Sequence, residues 1–355
     1  MPGEPAFSRF GAPDAVVRPG QSIQSAIDAA EAGDRIFVRP GVYREALRIE
    51  KPDIALVGLG RRIGSSGAAV VVIEDPGDEE NGIYVDGNGD GVELVNLTIR
   101  GFEENGALLY GVDGFLLSEL IAEDDGEYGL FPVHSQNGVI ERSVASGHSD
   151  TGIYVGQSTD VVIRDSRAFG NVNGFEIENS SRIQAFGNEA FGNTAGFLVV
   201  LLPGLPVKAS SDILLENNYS HDNDLPNFAD HGFEALVPSG SGILVIGTDD
   251  TRIRNNRVTG NDFVGIALIN TGILSLLDPS IVIDVEPFPA HARIVNNVVT
   301  GNGTGAPPIP ALPVVADLLW DGTGDDNCWS GNTFDSSLNL NLPTGPPEPA
   351  LPACD

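Results

Sequence analysis

The chain has 355 residues, of which 50 are acidic and 19 basic, giving a net charge of −31. Such a surface repels nucleic acid and anionic membranes, which excludes polyanion binding without a bridging cation. No apolar run is long enough to span a membrane, and 44 glycines with 24 prolines point to short strands joined by turns.

The first residues, MPGEPAFSRF, carry neither the basic nor the apolar region of an export signal. An N-terminal arm is expected over 1–20. From Gln21 the segment QSIQSAIDAAEAGDRIFVRPG predicts a short helix, with Ser22 as its N-cap and Ile23, Ala26, Ile27 and Ala30 on one face. Gly33 ends it, and RIFVRPG follows as the first strand.

A repeat then takes over. Gly82, Gly106, Gly129, Gly152, Gly174 and Gly196 recur every 22 to 24 residues, and each opens a short apolar strand, as in TGIYVGQSTDVVIRDS. The pattern resumes at Gly242 and Gly265. A period of this length with two or three strands is one coil of a parallel β-helix, whose apolar face is buried only by stacking on its neighbours. Alternation turns Ile153 and Val155 inward and Tyr154 outward. Insertions near 201–210, 225–240 and 271–292 interrupt the stack, the solenoid is expected to run from 21 to 334, and a proline-rich tail occupies 335–355. Cys328 and Cys354 are too few for a zinc site and are expected to staple that tail. The expected compartment is periplasmic or extracellular, with any signal sequence outside this stretch.

With the glycines in register, equal offsets stack about 4.8 Å apart. Two residues before the glycine stand Glu80, Glu104, Glu127 and Asp150. Like charges at that spacing are relieved by solvent, protons or a cation, so Glu104, Glu127 and Asp150, with Asp125 nearby, are candidate Ca²⁺ ligands; the competing reading is a solvated acidic edge. Four residues before the glycine, Asp125 lies below His148. Five and six residues after it, His134-Ser135, Gln157-Ser158 and Asn179-Ser180 form a polar ladder, which could equally satisfy turn amides. Phe131, Tyr154, Glu176 and Glu178 are expected outward beside it. Aromatic faces next to carboxylates and amides suit a sugar-binding cleft. In that reading Phe131, Tyr154, Gln157, Asn179 and Ser158 bind substrate. Glu176, Glu178 and Asp150 supply acid–base chemistry, with His134 or His148 carrying a proton.

The helix IQSAIDAAEAGDRIFVRPGVYRE followed by coils of the GIYV…VVI type resembles the pectin-lyase-like superfamily of right-handed parallel β-helices. The resemblance covers roughly Gln21 to Phe334 and implies that all-β fold, with a short N-terminal capping helix. The superfamily holds lyases, epimerases, hydrolases, esterases and non-catalytic proteins, so fold does not name the function. Within it, Asp124-Asp125 one coil before Gly147-His148 resembles polygalacturonases, though serine follows the histidine and the remaining motifs are missing. YGLFPVHS resembles alginate C5-epimerases at Tyr128, Gly129 and Pro132, but Phe131 replaces the motif's first aspartate and His134 is displaced by one position.

Two functions fit this sequence. One is an exported protein that binds a polysaccharide along an outer groove near residues 125–180 and cleaves or epimerises it, as a lyase, epimerase or glycoside hydrolase. The other is a non-catalytic scaffold for glycan, calcium or a protein partner. Clustering of the polar ladder, aromatics and acids favours the first, and the lack of a complete catalytic set favours the second. No organic cofactor is implied, and the residues carry no signal for an oligomeric state.

Overall fold

The structure, a computed structural model, describes residues 11–60, 70–310, 313–342 and 345–354; the opening MPGEPAFSRF lies outside them. Among the described residues the chain winds through three parallel sheets of twelve, eleven and eleven strands. Each coil visits the sheets in turn. Thr151–Gly156 lies in what is called here the front sheet, Thr159–Arg164 in the twelve-stranded sheet and Arg167–Phe169 in the back sheet. Ile153 stacks between Leu130 and Phe175, and Ile153 and Val155 are both fully buried, as period-two alternation requires. One continuous apolar core runs from Val17 to Trp329.

The predicted helix forms over Ile23–Ala29, with the Ser22 side chain accepting the Ser25 amide at 3.0 Å. Its buried Ile23 and Ile27 join the core at the first coils, closing an end where an exposed sheet would otherwise invite pairing. The stack reaches beyond 21–334 on both sides. Ala15–Val17 pairs with Ile36–Val38, and Ser337–Asn339 extends the front sheet beside Leu318–Trp320. The Cys328–Cys354 disulfide ties the tail to the last coil, with Cα atoms 4.8 Å apart.

The corners are held by interior ladders of polar side chains. At one corner Asn188, Asn218, Asn256 and Asn297 stack so that each carboxamide oxygen accepts the backbone amide of the coil before, at 2.8–3.0 Å. A second run, Asn171, Asn193, Asn223, Asn261 and Asn302, does the same at another corner. The third corner is a serine ladder, where the Ser135 amide donates to Ser158 Oγ and the Ser158 amide to Ser180 Oγ, both at 3.0 Å. Turn amides buried inside a solenoid need such acceptors.

The later half of the front sheet is roofed. Outward-facing Leu198, Val200, Leu244, Ile246 and Ala267 pack with Leu202, Val237 and Leu274 of the excursions, and with Ile309 of the proline-rich stretch after Gly303, into a second apolar cluster. The earlier half is left open, so a boundary falls at the coil of Glu176.

Candidate active site

On the outer face of the front sheet, residues in register form one row. Arg48, Tyr84, Leu108 and Phe131 come first, then Tyr154, Glu176, Leu198, Leu244 and Ala267. Apart from Leu108 the row is aromatic and polar where open, and it is aliphatic where roofed; Glu176 stands at the change.

Three carboxyls converge there. Asp150 ends the corner before the Thr151–Gly156 strand, Glu176 lies on the Asn173–Glu178 strand, and Glu234 comes from a short 3-10 turn in the 225–240 excursion. Oxygens of the three lie within 4.8 Å of one another. Glu176 is 1% exposed. The Thr151 hydroxyl contacts Asp150 Oδ1 at 2.8 Å and Glu176 Oε2 at 2.6 Å. A hydroxyl has one proton to give, so in the absence of a cation one of these contacts uses a proton on the carboxyl itself. The Asn173 amide also donates to Glu176 Oε2, at 3.1 Å. Glu176 Oε1 and Asn173 Oδ1 are buried without a hydrogen-bond partner.

Electrostatics agree with the geometry. Burial, then the charges of Asp150 and Glu234, push the Glu176 carboxyl well above its usual range. Burial and then Glu234 do the same to Asp150, against hydrogen bonds from Tyr128 and Thr151. Glu234 is raised chiefly by burial. The neighbouring Glu178 is pushed up to about 7 by burial, with the Tyr154 hydroxyl, 2.6 Å from its Oε1, opposing the rise. None of the principal influences on these four groups is a Lys or Arg. Behind Glu176 lies an apolar cavity of about 50 Å³ bordered by Leu198, Phe233, Leu244 and Leu274, which keeps this side of the carboxyl dry.

Aromatic rings flank the cluster. Tyr128 stacks on Phe131 at 4.1 Å, and Tyr154 meets both rings edge-on at 5.3 and 4.7 Å. Tyr154, expected as an exposed platform, is only 4% exposed, because those rings and Glu178 cover it. Phe131 is half-buried at the wall.

The other sequence candidates lie elsewhere. His148 and Asp125, taken as proton carrier and metal ligand, stack as expected, Nε2 to Oδ2 at 3.5 Å, but in the interior. His148 heads the asparagine ladder through Asn171 Oδ1, and Asp125 accepts the Phe102 amide. Ser158 belongs to the serine ladder. Asn179 is bonded to the amide and carbonyl of Leu202 and the carbonyl of Val207, and Gln157 accepts the Val207 amide, so both anchor the 201–210 excursion. His134, Gln157 and Asn179 all adopt left-handed backbone, φ 54°, 50° and 43°, and a tight corner is the physical reason for their ladder. His134 meets Tyr110 edge-on, ring centroids 5.3 Å apart.

Of the acidic column, Asp150 alone enters the three-carboxyl cluster. Glu127 sits 3.3 Å from the exposed His231, and Glu104 lines an open groove with Glu80. Glu234, Thr151 and Asn173 were not among the sequence candidates. Glu234 lies in an insertion outside the repeat and has no register to betray it. Tyr128 carried a signal, its place in YGLFPVHS.

A family model for the right-handed beta helix region matches residues 73–202. Together with the three stacked sheets, this makes the fold a right-handed parallel β-helix. Among solved structures, the chain is similar to the A-module of the Azotobacter vinelandii mannuronan C-5 epimerase AlgE4. Identity is 19% over 93% of this chain and 96% of that one, with a TM-score of 0.62. The AlgE6 A-module of the same organism matches at 18% identity, covering 92% and 93%, TM-score 0.66. DFA-IIIase from Arthrobacter chlorophenolicus A6 matches at 12% identity, covering 94% and 86%, TM-score 0.60. No curated protein sequence matches the chain.

Proposed function

We propose that this protein binds a polysaccharide along the open half of the front sheet and cleaves or epimerises it at the Asp150–Glu176–Glu234 cluster. The observation that carries the reading is Glu176, a buried carboxyl with one unpartnered oxygen, placed where an open row of side chains meets a roofed one. A carboxyl held neutral by burial can give a proton to a departing glycosidic oxygen or a sugar carbon, while an ionised neighbour takes one. The Tyr128 hydroxyl, which opposes the rise of the Asp150 carboxyl, extends the relay. Glu234 closes the cluster from the 225–240 excursion, so substrate entry requires that segment to shift. The mannuronan epimerases share the fold, and a sugar polymer as ligand agrees with the polymer they are named for. The disulfide favours an oxidising compartment, periplasmic or extracellular.

A second reading has its own support. Asp150, Glu176 and Glu234 form an all-oxygen donor set, and the unpartnered Glu176 Oε1 and Asn173 Oδ1 fit a hard divalent cation such as Ca²⁺. A bound cation would supply positive charge against a developing anion; the side chains named would hold it.

The test is the appearance of new reducing or unsaturated ends, or of epimerised residues, across a panel of polysaccharides, with calcium and with chelator. Product formed by the wild type and lost in Glu176→Gln supports the reading. Silence across the panel, or undiminished turnover by Glu176→Gln, overturns it. Dependence on calcium decides between the proton and the cation forms of the centre.

A further inference from the structure

Resting on the glycan-binding reading above, we infer that the ligand is a cationic amino-sugar polymer, of the poly-glucosamine kind, and not a uronate. The open groove beside the front row has a volume of about 720 Å³ and is lined by Asp78, Glu79, Glu80 and Glu104, with Arg48 its one base among the described residues. That base is already engaged. Its guanidinium pairs with Glu50 and reaches Asp86 at 3.6 Å while lying 4.7 Å over the Tyr84 ring.

The acids continue up the wall in single file, one per coil. The Glu104 amide donates to the Glu80 carbonyl, Glu127 to Glu104, and Asp150 to Glu127, at 2.6–3.1 Å. Glu104 is held above its usual range by burial and then by the charges of Glu80 and Glu127; His231, 3.3 Å from Glu127, offsets the file at that coil. A coil rise of about 4.8 Å is close to the advance of one pyranose in an extended chain. A polymer with one ammonium per sugar would therefore meet one carboxylate per coil. A uronate polymer would set like charge against like charge, at a cost that opposes binding.

Two further observations point to a ligand. Asn105 Oδ1, next to Glu104, is buried with no partner, while its amide donates at 2.8 Å to Asn81 on the groove wall. At the inner end of the same row Glu176 Oε1 is also buried and unpartnered. Both are acceptors, matching the donors of hydroxyl and ammonium groups. Tyr84 and Leu108 in the groove lining, with Phe131 next in register along the sheet, offer apolar and aromatic faces for sugar rings. Aromatic faces beside carboxylates also favour an ammonium.

The test is calorimetric titration, in chelator and mildly acidic buffer of physiological salt, with three hexamers: β-1,4-linked glucosamine, its N-acetylated form, and mannuronate. The glucosamine hexamer is expected to bind tightest. Glu80→Gln with Glu104→Gln, both exposed carboxylates, should weaken it about tenfold. The control pair Glu31→Gln with Glu348→Gln, exposed and outside the groove lining, changes net charge equally and should leave affinity within about twofold. Tighter binding of the mannuronate or acetylated hexamer overturns the amino-sugar class while the glycan reading stands. Equal losses in the two variant pairs overturn the groove, since bulk charge then explains the binding. Binding of no hexamer overturns the amino-sugar class, and the product panel above then decides the glycan reading independently.

Discussion

Glu178 makes the electrostatics of the site measurable without any substrate. Its carboxyl is pushed from 4.5 to about 7, and the Tyr154 hydroxyl donates to it at 2.6 Å. A carboxyl whose pKa is raised by folding binds its proton more tightly in the native state. Its stabilising share is therefore complete below about pH 4.5, declines as pH rises, and is gone above about pH 7. Each unit is worth about 1.4 kcal/mol, so the whole share is about 3 kcal/mol. Glu178→Gln keeps an acceptor for Tyr154 and removes the titration.

In chelator, urea unfolding at about pH 5 and about pH 8 should show the wild type losing about 2.5 kcal/mol more than the variant over that interval, part of the share being gone already at about pH 5. The remaining loss, common to both proteins, belongs to Asp150, Glu176 and Glu234, which shift in the same direction. Parallel curves for the two proteins would refute the burial argument, as would wild-type stability that rises with pH relative to the variant.

Three other outcomes are expected. Asn218→Ala should cost about 2–5 kcal/mol, because the Asn188 amide and the Ala185 carbonyl lose buried partners at 3.0 and 2.9 Å; hydrogen exchange of the Asn188 amide reports it, and unchanged protection would contradict the ladder's role. Replacing Cys328 and Cys354 with serine opens a loop spanning 26 residues, worth about 3.5 kcal/mol on the chain-entropy view, and should speed exchange in Ser337–Asn339 while coils near Gly152 stay protected. If a divalent cation occupies the cluster, calcium should raise the melting temperature of the wild type and not of Glu176→Gln; an equal rise in both places any calcium elsewhere.

Much of the fold is legible in the sequence, for a definite reason. Gly106, Gly129 and Gly152 recur because a Cβ there would lie 2.5–2.8 Å from a neighbouring coil's atoms, and Ile153 and Val155 alternate inward because the strand has period two. The corners are not legible in this way. His148, Ser158 and Asn179 sit where the chain leaves strand geometry, so alternation no longer separates interior from exterior. Their columns are correct, and their burial was hidden. Tyr154 has the outward parity expected of it, yet its cover comes from residues of the neighbouring coils. The site itself needed Glu234, brought to Asp150 and Glu176 by an excursion that no repeat register indexes.

The central claim is that a sugar chain lies on the front sheet and ends its run at Glu176. A crystal structure with a bound oligosaccharide tests it most directly. The account predicts pyranose rings over Tyr84, Leu108 and Phe131, with one sugar against Asp150 and Glu176 and the 225–240 segment shifted from its present place. Sugar found on the twelve-stranded or back sheet, with the front row bare, would contradict it.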